Sequence, residues 1–402
     1  MNILQLVPEP LPTFSADISV LFGKYLPRHS VRCDIVGTAG TGELIDQGFS
    51  NTRRPEPKGS RLRDEFSYLV LCMRALLATR KESCDLIQVR DMASIGFLAM
   101  LIARLKGIPF VYWMSFLMCE GRIRTARDRI REGAGIRYRL VLLKGLVEQA
   151  LLYRLVLPGA RHVFVQSDAM RAMMVAKGIV PNKLTAVPMG VDTEVLQPAG
   201  IAARRLAGWD GIPLIAYLGT LDRLRRLDQV VDALAIVRLR HPQARLLFIG
   251  DASTGADLAD LLAHARRLGL ADAIHVTGWL PGAQAWSLLA GADAAVSYIP
   301  RGELFDVGSP TKLLEYLALG MPSVGNDNPD QATVLSESRS GWLTESNAAA
   351  LAQALCDILD DTAGARVRAA NGPAYIDSSR SYRVIAAMVA QHYQCLAGKS
   401  AS

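Results

Sequence analysis

Eleven short and almost wholly apolar runs recur along this chain of 402 residues, each followed by a stretch with helical periodicity. The first six are Ile3–Val7, Cys33–Val36, Leu86–Val89, Phe110–Trp113, Val163–Gln166 and Leu184–Val187. Five more follow: Leu214–Leu218, Arg245–Ile249, Ile274–Thr277, Ala294–Tyr298 and Pro322–Val324. A strand that is apolar on both faces must be covered on both, and helical connections between strands suit parallel pairing. No Asn-Gly pair separates consecutive runs, which argues against hairpins. The expected class is α/β, with doubly wound Rossmann-like sheets.

A chain of this length exceeds one ordinary core. The pattern pauses at Gln197-Pro198-Ala199-Gly200 and restarts at Pro213. We therefore expect two domains, 1–197 and 198–382, with a last helix, residues 383–402, returning by analogy to the first. Doubly wound sheets bind ligands at the carboxyl ends of their strands.

Two motifs stand at such ends. In Gly308-Ser309-Pro310-Thr311-Lys312-Leu313-Leu314-Glu315, serine followed by proline reads as N-cap and first helical residue. Gly320 and Pro322 then stop the helix. A helix start presents backbone N–H groups and partial positive charge to an anion, and Lys312 adds a mobile cation. Glu315 lies one turn on, near the same face, where it can meet a sugar hydroxyl. A surface Lys–Glu pair beneath an ordinary cap is the plainer alternative. In the second motif, Gly219-Thr220-Leu221-Asp222-Arg223-Leu224-Arg225-Arg226, the glycine admits a ligand close to the backbone. Its three arginines offer forked donors for a diphosphate.

With these motifs in place, residues 160–345 resemble the retaining glycosyltransferases of family 4, which have the GT-B fold: two Rossmann-like domains facing across a cleft. The resemblance runs through His162–Ser167, Val187–Asp192, Gly219–Asp228, Ile249-Gly250-Asp251, Gly278-Trp279-Leu280-Pro281 and Ser309–Pro322. It implies transfer of a sugar from a UDP- or GDP-sugar to a lipid-linked or oligosaccharide acceptor, with retention and without a metal or other cofactor. Lys312 and Arg223, with Arg225 and Arg226, would neutralise the leaving diphosphate, helped by Gly308, Ser309, Pro310 and Thr311. Glu315 would bond the ribose, and Trp279 and Leu280 would edge the base. Gly250 and Asp251 would line the floor, and Gly219 would let the donor approach the backbone.

Three departures accompany the match. Val307 occupies the position where relatives carry a sugar-contacting glutamate, leaving Asp306 or Glu303 as substitutes. Phe110–Ser115 lacks the relatives' histidine, with Ser115 and Glu120 the nearby polar groups. Thr220 stands where an arginine usually follows the glycine. A non-hydrolysing nucleotide-sugar epimerase and a non-catalytic nucleotide-binding partner are the competing readings.

Charge adds one further expectation. The net charge is +7, and the segment Arg122–Arg161 alone holds ten basic residues against Asp128, Glu132 and Glu148. Apolar residues interleave with them, which suits a peripheral contact with anionic lipid. Nucleic acid is not expected, because no aromatic stacking motif accompanies the charge. Cys33, Cys72, Cys84, Cys119, Cys356 and Cys395 form no paired spacing, so a cytoplasmic setting is expected. The six histidines show no metal-ligand spacing, and no apolar run reaches the roughly 20 residues of a spanning helix. The Pro-broken start reads as a strand rather than a signal peptide.

Overall fold

The computed structural model describes residues 1–40, 42–43, 45–57, 59–133 and 135–398. Each of the eleven apolar runs is a strand, and the chain forms two compact units. Unit 1 is Met1–Pro188 with Tyr382–Ser402, and unit 2 is Met189–Ser381. The chain crosses between them at Pro188–Met189, ahead of the pause at residues 197–200. The physical reason is hydrogen bonding: the Met189 N–H donates to Ser309 at 3.0 Å, and that of Val191 to the Arg380 carbonyl at 2.9 Å. Both residues already belong to the second sheet's framework.

Unit 1 holds strands β1 (Asn2–Leu11), β2 (Arg32–Ala39), β3 (Asn51–Arg53), β4 (Leu86–Arg90), β5 (Phe110–Met114), β6 (His162–Val165) and β7 (Leu184–Ala186). Their order is β3-β2-β1-β4-β5-β6-β7, with every registered pair parallel. Trp113 packs between Phe22 and Phe164 at centroid distances of 5.1 and 5.2 Å. The last helix, Tyr382–Leu396, closes this core by placing Tyr393 5.3 Å from Phe164 and donating its hydroxyl to Gln88 at 2.6 Å. Residues 399–402 of the expected last helix lie outside the described residues.

Unit 2 holds β8 (Leu214–Leu218), β9 (Arg245–Ile249), β10 (Ile274–Val276), β11 (Ala294–Ser297), β12 (Ser323–Asn326) and β13 (Trp342–Thr344). Their order is β10-β9-β8-β11-β12-β13, again all parallel. Ile215, Tyr217, Leu246 and Phe248 face one apolar cluster, while Leu214, Ala216, Leu247 and Ile249 face another. That period of two explains why these strands read as unbroken apolar runs. The two strands that no apolar run announces, β3 and β13, are three-residue edges. In unit 2 the order reverses at β8, whose neighbours are β9 and β11. The carboxyl end of β8 is therefore where a doubly wound sheet opens to a ligand.

Candidate active site

Strand β8 ends at Gly219, whose φ of +138° belongs to glycine. A Cβ there would lie 2.2 Å from the Lys312 Cε, so the lysine side chain occupies the space left by the missing methyl. The ammonium of Lys312 sits 5.4 Å from the ring centre of Tyr217. Lys312 is carried by the helix Thr311–Ala318, which Tyr316 clips to the sheet. The Tyr316 hydroxyl accepts the Leu218 N–H at 2.9 Å and donates to the Val296 carbonyl at 3.4 Å. Gly250, with φ +144°, closes the floor: a Cβ there would meet the Gly219 carbonyl oxygen at 2.1 Å. A bridge between Gly250 and Gly278 ties the Gly278–Pro281 loop to the same floor.

The electrostatics of this corner are set by burial. Burial first, then the nearby Arg225 charge, pushes the Lys312 ammonium down to about 7, against the opposing pull of Glu315. Burial also pushes the Glu315 carboxyl up to about 7, opposed by Lys312 and by a hydrogen bond from Trp286. An incoming diphosphate would restore the lysine charge. No side chain caps the helix Thr311–Ala318, so none competes for its first-turn N–H groups.

Several expected contributors are placed otherwise. The helix starts at Thr311 with Pro310, not Ser309, in the capping position. Ser309 is buried, donates to Asp330 at 2.7 Å and accepts the Met189 N–H, while Asp330 pairs with Arg380 at 2.8 Å. Its hydroxyl is thus consumed in a buried network, and Pro310 has no N–H to offer. The arginine cluster divides. Arg225 is the member whose charge acts on Lys312, and its guanidinium lies 6.0 Å from the Phe305 ring centre. Arg226 takes the left-handed conformation at φ +52° and forks onto Asp228 at 2.9–3.2 Å. Arg223 and Arg226 line a separate groove of about 560 Å³ with Asp228, Asp257, Asp260 and His264. Asp306 is held by Arg301 at 2.8 Å, Glu303 is exposed and Val307 is buried. Trp279 is 71% exposed on its loop, whereas Leu280 packs against the core. Gly308 donates its N–H to the Phe305 carbonyl at 3.1 Å.

In unit 1, Ser115 gives both its N–H and hydroxyl to Asp91. Glu120 accepts from Tyr153 at 2.7 Å and Gln149 at 3.1 Å. Tyr112 and Trp113 are core. Sequence reasoning overlooked Tyr217 beside the lysine and Trp286, which hydrogen-bonds Glu315. It also overlooked Arg90, buried at the end of β4 among Glu9, Asp17 and Asp91. An arginine closing the run Leu86-Ile87-Gln88-Val89 was the available signal for that cluster.

These placements yield a contrast. Arg225→Ala is expected to raise the KM for an anionic nucleotide ligand about tenfold, ~1.4 kcal/mol, and Arg226→Ala by less than about threefold. Steady-state kinetics on the two variants measures the difference; equal effects would contradict the division of the cluster.

Residues 23–190 match the family model described as "Glycosyl transferase 4-like domain", and residues 212–361 that described as "Glycosyl transferases group 1". The two matches and the fold together support a GT-B glycosyltransferase. A D-inositol 3-phosphate glycosyltransferase of Segniliparus rotundus is 32% identical over 171 residues, 41% of this chain and 36% of that protein. The match thus spans about a third of that curated relative's length. Among solved structures, HepE of Anabaena in complex with UDP and glucose superposes with a TM-score of 0.72 at 17% identity, covering 98% of this chain and 100% of that one. A glycosyltransferase of Rickettsia africae gives 0.74 at 16% identity, covering 99% of each chain. Among the described residues no helix is long and apolar enough to cross a membrane.

Proposed function

We propose that the chain transfers a sugar from a nucleoside-diphosphate sugar to a hydroxyl of a lipid-linked or oligosaccharide acceptor, with retention, in the building of cell-surface polysaccharide or glycoconjugate. The observation that carries this reading is the Lys312 side chain lying in the methyl-sized gap at Gly219, under the charge of Arg225. The UDP complex of the HepE relative agrees with a uridine nucleotide as donor.

In this scheme the bond between the anomeric carbon and the β-phosphate oxygen breaks as the acceptor oxygen bonds to the same face of that carbon. The acceptor proton passes to the departing phosphate. Charge therefore accumulates on the diphosphate, and donors already aimed at it contribute several kcal/mol in a partly dry site. Lys312 and Arg225 supply the cations and the 311–318 helix start the amides. Glu315, oriented by the Trp286 N–H, accepts the ribose hydroxyls. No metal or redox cofactor enters the proposed step.

Incubating the purified protein with UDP- and GDP-sugars tests the reaction class. Release of free nucleotide that increases with acceptor supports transfer; interconversion of the sugars would mean an epimerase, and binding without turnover a non-catalytic partner. The lysine adds a pH signature. Below pH 7 Lys312 is charged before the donor arrives; above it, binding must take up a proton. The sugar diphosphate has no group titrating near neutrality, unlike a terminal phosphate. The donor KM is therefore expected to rise above about pH 7, by less than about tenfold per unit because Glu315 ionises over the same range and opposes loss of the lysine charge, and this rise should vanish in Lys312→Met. A KM unchanged from pH 7 to 9 would refute the lysine's role.

A further inference from the structure

In unit 1, the helices Met118–Arg131 and Ile136–Leu151 form an antiparallel pair that follows the carboxyl end of β5. The second helix buries only Gly145 fully, against Ile123 of the first, where an added Cβ would come within 2.9 Å. At 100° per residue, the face opposite Gly145 carries Ile136, Leu140, Leu143 and Val147. These side chains are 75, 62, 58 and 59% exposed, so an apolar stripe three turns long points away from everything the helix packs on. Arg139 borders the stripe on one side and Arg137 and Lys144 on the other.

The neighbouring helix adds exposed Arg124 and Arg127. Among the described residues Arg124, Arg127, Arg137 and Arg139 join no ion pair, whereas Arg122 is held by Glu148, which Lys144 also approaches at 4.0 Å, and Arg129 and Arg131 are held by Glu132 and Asp128. Unpaired cations flanking an exposed apolar stripe suit one kind of partner better than another. A second copy of the chain laid on the same face would set Arg137, Arg139 and Lys144 against their own kind. An anionic bilayer accepts both features, the leucines among the acyl chains and the cations among the headgroups.

We propose that the Ile136–Leu151 helix docks this chain on the surface of an anionic lipid bilayer through Ile136, Leu140, Leu143 and Val147, with Arg137, Arg139 and Lys144 at headgroup level. The contact lies in unit 1, away from Lys312 and Gly219 in sequence and in sheet, so it stands or falls separately from the donor site.

Flotation of the full chain with vesicles tests it. At low salt the protein should float with phosphatidylglycerol-containing vesicles and remain behind with pure phosphatidylcholine, and high salt should weaken binding. Each basic residue at an anionic surface contributes about fivefold in partitioning. Arg137→Glu with Arg139→Glu should therefore reduce binding at least about twenty-five-fold, and Leu140→Ser with Leu143→Ser should abolish flotation. Both pairs are exposed, so far-ultraviolet circular dichroism and the melting temperature should be unchanged, as should donor hydrolysis in solution. Absence of flotation by the wild type, or flotation indifferent to both variants, would overturn the proposal. So would a dimer in solution that the leucine variant dissolves while vesicles bind neither form.

Discussion

Replacing Lys312 with methionine is expected to lower kcat/KM with the donor about a hundredfold, ~2.7 kcal/mol, while leaving the protein as stable as before or more so. The two halves of that result follow from one fact. The ammonium is partly buried without an ion pair in the described structure, and burial has driven it down to about 7. In the unliganded protein the charge is therefore a cost, which methionine of similar length removes. In the complex it faces a diphosphate whose charge increases as the glycosyl bond breaks, and there its loss is felt most. Steady-state kinetics and thermal melting on the same preparation measure both halves. A variant that loses activity and melts far below the wild type would instead mark Lys312 as structural.

Gly219→Ala should do comparable damage by another route. The new methyl would sit 2.2 Å from the Lys312 Cε, and the backbone φ of +138° suits no L-residue. The lysine tail can swing aside, so the protein is expected to fold with a loss of about 1–3 kcal/mol from backbone strain. The swing takes the ammonium out of the place a diphosphate would need. We expect kcat/KM to fall by roughly a hundredfold, and Gly219→Ala combined with Lys312→Met to cost little more than either alone, since both remove one group from one place. Additive losses would show that glycine and lysine serve separate ends.

Much of the framework is legible in the residues because burial on two faces forces a strand to be apolar throughout. Runs such as Leu214–Leu218 and Arg245–Ile249 could hardly be anything else, and the glycine that follows β8 marks the strand end at which the donor site is proposed. What escaped depended on distance or on local backbone geometry. Ser309 before Pro310 has the look of a cap, but the partner that takes its hydroxyl, Asp330, lies 21 residues on in a different helix. Three arginines in four positions look equivalent on paper. A short 3₁₀ turn over Arg223–Arg225 and a left-handed Arg226 send them different ways. The strands β3 and β13 carry no apolar run because Asn51-Thr52-Arg53 is polar throughout and Trp342-Leu343-Thr344 is only three residues long and ends on a threonine. Asp306 had its partner only five residues back, in Arg301, and that pairing was within reach of the sequence. Trp286 gave no local sign of its hydrogen bond to Glu315.

In the proposed mechanism Lys312 and Arg225 jointly receive a nucleoside diphosphate at the end of β8. Isothermal titration of UDP and GDP into the wild type, Lys312→Met and Arg225→Ala at pH 7 tests that most directly. We predict binding of at least one nucleotide to the wild type, weakened at least about tenfold in each variant. Equal affinity in all three proteins would contradict it.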